Sequence, residues 1–154
     1  MTFTLDTASG KKLKELHPHL QTALERILWR YPFRIEWAYR SPAKQAEVAA
    51  SGNSQVDGSK DYPHMARPEG VQAVDLRPIT SKGPIEWNVK DPNIAVAWAW
   101  FMSFAFHEVQ AYVEAVEPGA WMVVSGLNWD GDLDVATDQN FDDYGHIEIR
   151  RRQK

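Results

Sequence analysis

The chain has 154 residues, 44% of them hydrophobic and 25% charged, the size and balance of one soluble globular domain. Such a domain buries roughly 70% of its unfolded surface, which excludes disorder along the whole chain and leaves a bound metal to serve chemistry rather than folding. A formal charge of −4 excludes the basic excess of a general nucleic-acid binder, and the lack of cysteine excludes disulfides, thiolate catalysis and thiolate zinc ligands.

The opening MTFTLDTASGKKLKEL has no basic segment followed by an apolar run. No Sec signal peptide is therefore expected, and no stretch of about 18 apolar residues offers stable membrane insertion. From Pro18 to Arg30, Leu20, Leu24, Ile27 and Leu28 recur at helical spacing behind an N-terminal proline, predicting an amphipathic helix. His17 and His19 flank its first residue and read as a solvated helix start. In FRIEWAYR, Phe33, Ile35, Trp37 and Tyr39 alternate with other residues as a half-buried strand requires, with Arg40 at its exit. Ser41 and Pro42 then punctuate the start of a short helix, and Gly52 its end.

Residues 53–70 form a polar, turn-rich loop too long for a simple connection, and it carries His64. VQAVDLRPI follows as a strand bearing Asp75 and closed by Pro78. From Asp91 to Val116 apolar residues cover nearly every face, predicting a core helix packed on several sides. His107 and Glu108 within it resemble half of a zincin motif, but residue 111 is alanine, so a core or cleft-wall histidine is expected. AWMVVSG and GHIEIR supply the last strands, and RRRQK reads as a solvated tail, with contact to an anionic cell surface as the alternative. The order predicts an α+β fold in a single domain spanning residues 1–154, with a small, mostly antiparallel sheet against helices.

Without cysteine, a transition-metal site must draw on histidines and carboxylates. His64, Asp75 and His146 lie at loop–strand junctions and supply three such ligands, with Asp143 close by in sequence as a base. Polar residues at strand ends are the competing reading.

LKELHPHLQTALERIL, YRSPAKQAEVAASGNSQ, HMARPEGVQAVDLRPI and VSGLNWDGDLDVATDQNFDDYGHIEI resemble, in order and spacing, the LAS-type zinc peptidases. These include VanY-like D-alanyl-D-alanine carboxypeptidases and phage L-alanyl-D-glutamate endopeptidases, and the likeness is strongest to the compact endolysins. The resemblance implies zinc at His64, Asp75 and His146, Asp143 as general base, Arg40 facing the substrate carbonyl or carboxylate, and Gln45, the glutamine of the same motif, as a further substrate-binding residue. One departure stands out: the family places histidine and aspartate seven residues apart, whereas His64 and Asp75 are eleven apart, and Tyr62 occupies the place of a family serine. His107 is the alternative should His64 not reach the site.

The implied activity is metal-assisted hydrolysis of the L-alanyl-D-glutamate bond of peptidoglycan stem peptides by a monomer made in the host cytoplasm and released to the cell wall through a holin. D-alanyl-D-alanine carboxypeptidase or dipeptidase activity, and a wall-binding module that has lost its metal, are the alternatives. Glu148, two residues beyond His146 on the same strand face, is expected to orient that histidine unless it is simply exposed. Asp130, Asp132, Asp134 and Asp138 occupy alternate calcium-loop positions, but Val135 and Phe141 replace the EF-hand glycine and glutamate. The loop is thus no EF-hand, and a weaker Ca2+ site is set against a solvated acidic loop.

Overall fold

A computed structural model describes residues 3–52, 54, 56–87, 90–126 and 144–153. The chain runs α1 (Thr7–Leu13), α2 (Pro18–Leu28), β1 (Phe33–Trp37), α3 (Pro42–Ala50), β2 (Ala73–Thr80), β3 (Gly83–Pro84), α4 (Pro92–Val116), β4 (Trp121–Ser125) and β5 (His146–Arg151). The strands join in one sheet of order β1-β2-β5-β4, with β3 hooked onto the far end of β2 and every pairing antiparallel. This is the expected α+β class.

Capping explains most helix boundaries. Ser41 accepts from the Lys44 amide and Pro42 opens α3, while Gly52 beyond its end takes a φ of 80°. Asp91 caps α4 by accepting from the Asn93 amide. Helix α1 is an addition to the expected elements. Its two turns with a central Gly10 carry no periodic signal, and it is held by Asp6 accepting from the Ser9 amide and by Ser9 Oγ accepting from the Ile35 amide.

The core lies on one side of the sheet. Leu20, Ala23, Leu24 and Ile27 of α2 and Trp98, Phe101, Met102, Ala105, Val109 and Val113 of α4 pack with Phe33, Ile35, Val74, Leu76, Val123, Ile147 and Ile149 in a single apolar cluster. Helix α4 buries one stripe rather than several faces, since Val96 and Trp100 remain 68% and 56% exposed. An apolar composition all round does not by itself force burial all round, because only the stripe facing the sheet and α2 finds partners. Pro78 does not close β2. It lies opposite Phe33, and the strand continues to Thr80, where β3 pairs with it.

Two histidine expectations and the tail are corrected here. His17 is 7% exposed and its Nδ1 accepts from the His19 amide, while both rings contact Trp121 at 4.9 and 5.5 Å. The helix start is thus a packed aromatic cluster, because Trp121 on β4 covers it. His107 is exposed on α4 with Nδ1 2.7 Å from the Ser103 carbonyl, on the side of the helix turned away from the sheet. Arg150 and Arg151 belong to β5, and the Arg152 amide donates to Ala120. The basic run is therefore largely a paired strand, not a free tail. Among the described residues no helix is long and apolar enough to cross a membrane.

Candidate metal centre

Adjacent strands place the site. Because side chains alternate along a strand, Val74 and Leu76 enter the core while Ala73 and Asp75 face the opposite side. The register sets Asp75 opposite His146 and Ala73 opposite Glu148, so Asp75, His146 and Glu148 share the face away from the helices. His64 arrives from the long loop. The Arg40 amide donates to the His64 carbonyl, and the Tyr62 hydroxyl donates to the Arg40 carbonyl, stitching the loop to the end of β1. The extra loop length therefore does not carry His64 away, in keeping with the slow growth of closure cost with length.

Glycines at both ends of this construction have steric work to do. At Gly70, with φ 104°, a Cβ would lie 2.7 Å from Leu16 backbone atoms, so the loop can return beside the chain leading to α2 only with no side chain there. A Cβ on Gly145 would meet the Leu76 carbonyl oxygen at 2.7 Å. That close approach lets the Gly145 carbonyl accept from the Leu76 amide and starts β5 with His146 in register.

The three donor atoms converge. His64 Nε2 lies 3.1 Å from Asp75 Oδ1 and 3.3 Å from His146 Nδ1, and His146 Nδ1 lies 3.0 Å from Asp75 Oδ1. Nitrogen and oxygen ligands about 2.0–2.1 Å from a tetrahedral zinc stand roughly 3.3 Å from one another. The residues are 3%, 5% and 2% exposed, and together they have the chemistry and spacing to hold a metal ion.

The outer partners orient the lone pairs. His64 Nδ1 is 2.7 Å from the Ala38 carbonyl, which only accepts, so Nδ1 carries the proton and Nε2 turns its lone pair inward. His146 Nε2 lies 3.3 Å from Glu148 Oε2 and, donating there, leaves Nδ1 as the inward acceptor. Two nitrogen lone pairs and a carboxylate oxygen thus face a common point, an arrangement that a cation satisfies and that mutual contact alone does not.

Titration follows from the same contacts. Burial pushes the His64 pKa down, only partly opposed by Asp75, which keeps the ring neutral and ready to ligate. Burial pushes Asp75 up, but the two imidazoles packed against it, His64 first and then His146, outweigh burial and hold the carboxyl well below its usual range. Burial likewise works against ionised Glu148, and His146 and then Arg150 overcome it, so its pKa is lowered.

Arg40 is 7% exposed, and its Nη2 pairs with Asp75 Oδ2, the oxygen turned away from the two rings. Gln45 Oε1 accepts from Arg40 Nη1 at 3.2 Å, and Gln45 Nε2 donates to Ser54 Oγ and the Val56 carbonyl. Arg40 Nε is buried and has no hydrogen-bond partner among the described residues. The guanidinium also lies 5.3 Å from the Trp37 ring centroid. Tyr62 and Trp37 are contributors that motif reasoning passed over. The signal for Trp37 was its place on the β1 face, but the strand carries a bulge between Ile35 and Trp37 that sets Trp37 opposite Asp75, and alternation alone does not foresee it.

Asp143 lies outside the described residues, as do Asp130, Asp132, Asp134 and Asp138, so the expectation of calcium rests on no structural observation. The described candidates His64, Asp75, His146, Arg40, Gln45 and Glu148 all meet in one contact network. His107 does not join it.

Among known proteins, the sequence pattern of the phage L-alanyl-D-glutamate peptidases matches residues 1–150. A comparison with curated proteins gives no match. Among solved structures, the crystal structure of the Serratia marcescens L-Ala D-Glu endopeptidase ChiX matches with a TM-score of 0.60 over 96% of this chain and 90% of that one. At 22% identity this is a likeness of fold.

Proposed function

The chain belongs to the phage L-alanyl-D-glutamate peptidase family, whose members act on peptidoglycan, and from that premise we propose a zinc-dependent endopeptidase whose metal ligands are His64, Asp75 and His146. The observation that carries this reading is the convergence of two neutral imidazole nitrogens and one carboxylate oxygen within 3.3 Å of each other. Three nitrogen or oxygen ligands leave a fourth position open, as catalytic zinc sites do. The intact ligand set also speaks against a wall-binding module that has lost its metal.

Zinc bound there supplies Lewis-acid polarisation and acidifies water toward a pKa of about 7. The remaining work falls to the chain. Arg40 is fixed by Asp75, Gln45 and Trp37, and its buried Nε, without a partner among the described residues, supports a role in holding the carbonyl oxygen as negative charge develops on it. Asp143, three residues before His146 in sequence, is assigned the proton taken from water and returned to the leaving amine. Glu148 fixes the His146 tautomer through Nε2. The enzyme acts as a monomer on the cell wall once a holin has opened the membrane.

Digestion of purified peptidoglycan with zinc-loaded protein, followed by mass spectrometry, tests the reading. New amino-terminal D-glutamate is expected. Free D-alanine would transfer the activity to the carboxypeptidase class, and no product from fully zinc-loaded protein would reject hydrolysis.

A further inference from the structure

Beyond His146 the open face of β5 carries Glu148 and then Arg150, each about 6.8 Å further along the strand. There the strand and the long loop enclose a cleft of about 320 Å³ whose lining includes Asp61, Tyr62, Arg67, Glu148 and Arg150. Two of its lining residues link it to the metal centre, although none of the three ligands lines it. Tyr62 lies two residues before the ligand His64, and Glu148 holds His146 through one oxygen and pairs with Arg150 Nε through the other.

We propose that this cleft is a substrate subsite that takes a carboxylate of the peptidoglycan stem peptide, with Arg67 and Arg150 as the groups that hold it. The proposal rests on the peptidase reading above. Arg67 lies in the stretch between His64 and Gly70 where the chain exceeds the expected ligand spacing, so the longer loop contributes a guanidinium to this cleft. Its Nε is buried with no hydrogen-bond partner among the described residues, and its other nitrogens pair with Asp61, whose side chain is 70% exposed. An ion pair so open to water exchanges readily for an incoming carboxylate, which a guanidinium binds through paired donors. Arg150 is 49% exposed and engages Glu148 through Nε, on the edge of the guanidinium nearer the backbone. Arg67 and Arg150 are distinct from Arg40, which is committed to Asp75.

The test uses zinc-loaded enzyme and two synthetic stem peptides, one with free carboxylates and one with the carboxylates beyond the scissile bond amidated. Wild type should cleave the free acid with the lower KM. Arg67→Ala should raise KM for the acid by about tenfold to hundredfold, the loss of a charge-assisted pair, with kcat changed little, zinc content unchanged and the amide substrate unaffected. Arg67→Lys should recover only part of the loss, and Arg150→Ala should act in the same direction. Equal KM for both peptides in wild type, or equal effects of Arg67→Ala on both, would overturn the subsite and leave the peptidase standing. Failure of zinc-loaded wild type to cleave either peptide would instead sink the peptidase reading itself.

Discussion

The two faces of strands β2 and β5 differ by a single residue step, yet they do opposite work. Val74, Leu76, Ile147 and Ile149 point into the helices and are no more than 1% exposed. Asp75, His146 and Glu148, their immediate neighbours, point the other way and are just as deeply covered, at 5%, 2% and 2%. Burial on the first face is driven by removing apolar surface from water. On the second it is tolerable because the outward atoms of the triad are paired, Asp75 with Arg40, His146 with Glu148 and His64 with the Ala38 carbonyl, while the inward lone pairs are arranged for a cation. The same pleat thus provides a rigid wall and hangs the reactive groups on it, which is how a small domain holds ligands to within a fraction of an ångström.

If the faces are separable, substitutions on them should fail in different ways. The largest effect is expected from His146→Ala, which should abolish stoichiometric zinc binding and cut activity on the order of 10³-fold or more while leaving the far-UV circular dichroism of a folded chain. Its neighbour Ile147→Ala should do the reverse. A loss of about 2–5 kcal/mol in unfolding free energy is expected from the cavity and lost transfer energy, measurable by urea denaturation, with one zinc still bound by the protein that remains folded. Parallel losses of metal in both variants would show that the faces are not independent.

A smaller effect is expected at Glu148→Gln, which preserves shape but removes the charge that fixes His146. Zinc affinity should fall about 10–100-fold, seen by competition with a chromophoric chelator, and an unchanged affinity would make Glu148 a mere partner of Arg150. The smallest effect concerns acid. Burial holds His64 and His17 below the ordinary value of 6.5, so below that pH the unfolded chain binds protons that the folded chain refuses. Their contribution to stability is whole above about 6.5 and is lost as pH falls toward the depressed folded values. Asp75, held low, keeps its contribution until the pH falls below the ordinary carboxylate value of 3.8. The metal-free protein should therefore melt lower at about pH 5.5 than at about pH 7.5, and a flat or rising Tm across that interval would contradict the burial of neutral histidines.

The contrast between faces also explains what the sequence could and could not convey. The short runs VQAVDLRPI and GHIEIR disclosed both strands, and strand alternation put Glu148 on the face of His146, because period-two patterning is local. Helix α3 was equally plain, since Ser41, Pro42 and Gly52 are local punctuation. The family resemblance, not periodicity, joined His64 to Asp75 and His146. Local reasoning failed where a distant element decided the outcome. His17 and His19 are covered by Trp121, a strand away from anything their own helix announces. His107 looked like a core residue on an apolar helix, but the sheet and α2 engage another stripe. The bulge that swings Trp37 toward Arg40, and the Tyr62 hydroxyl that ties the long loop to Arg40, depend on tertiary contacts with no sequence period.

The account turns on His64, the ligand delivered by a loop longer than the family spacing. Zinc stoichiometry measured by atomic emission on wild type and His64→Ala, alongside their peptidoglycan products, addresses it most directly. One zinc per chain and new amino-terminal D-glutamate are predicted for wild type, with both lost in the variant. Full zinc and undiminished cleavage in His64→Ala would show that the metal is held elsewhere and contradict the proposed centre.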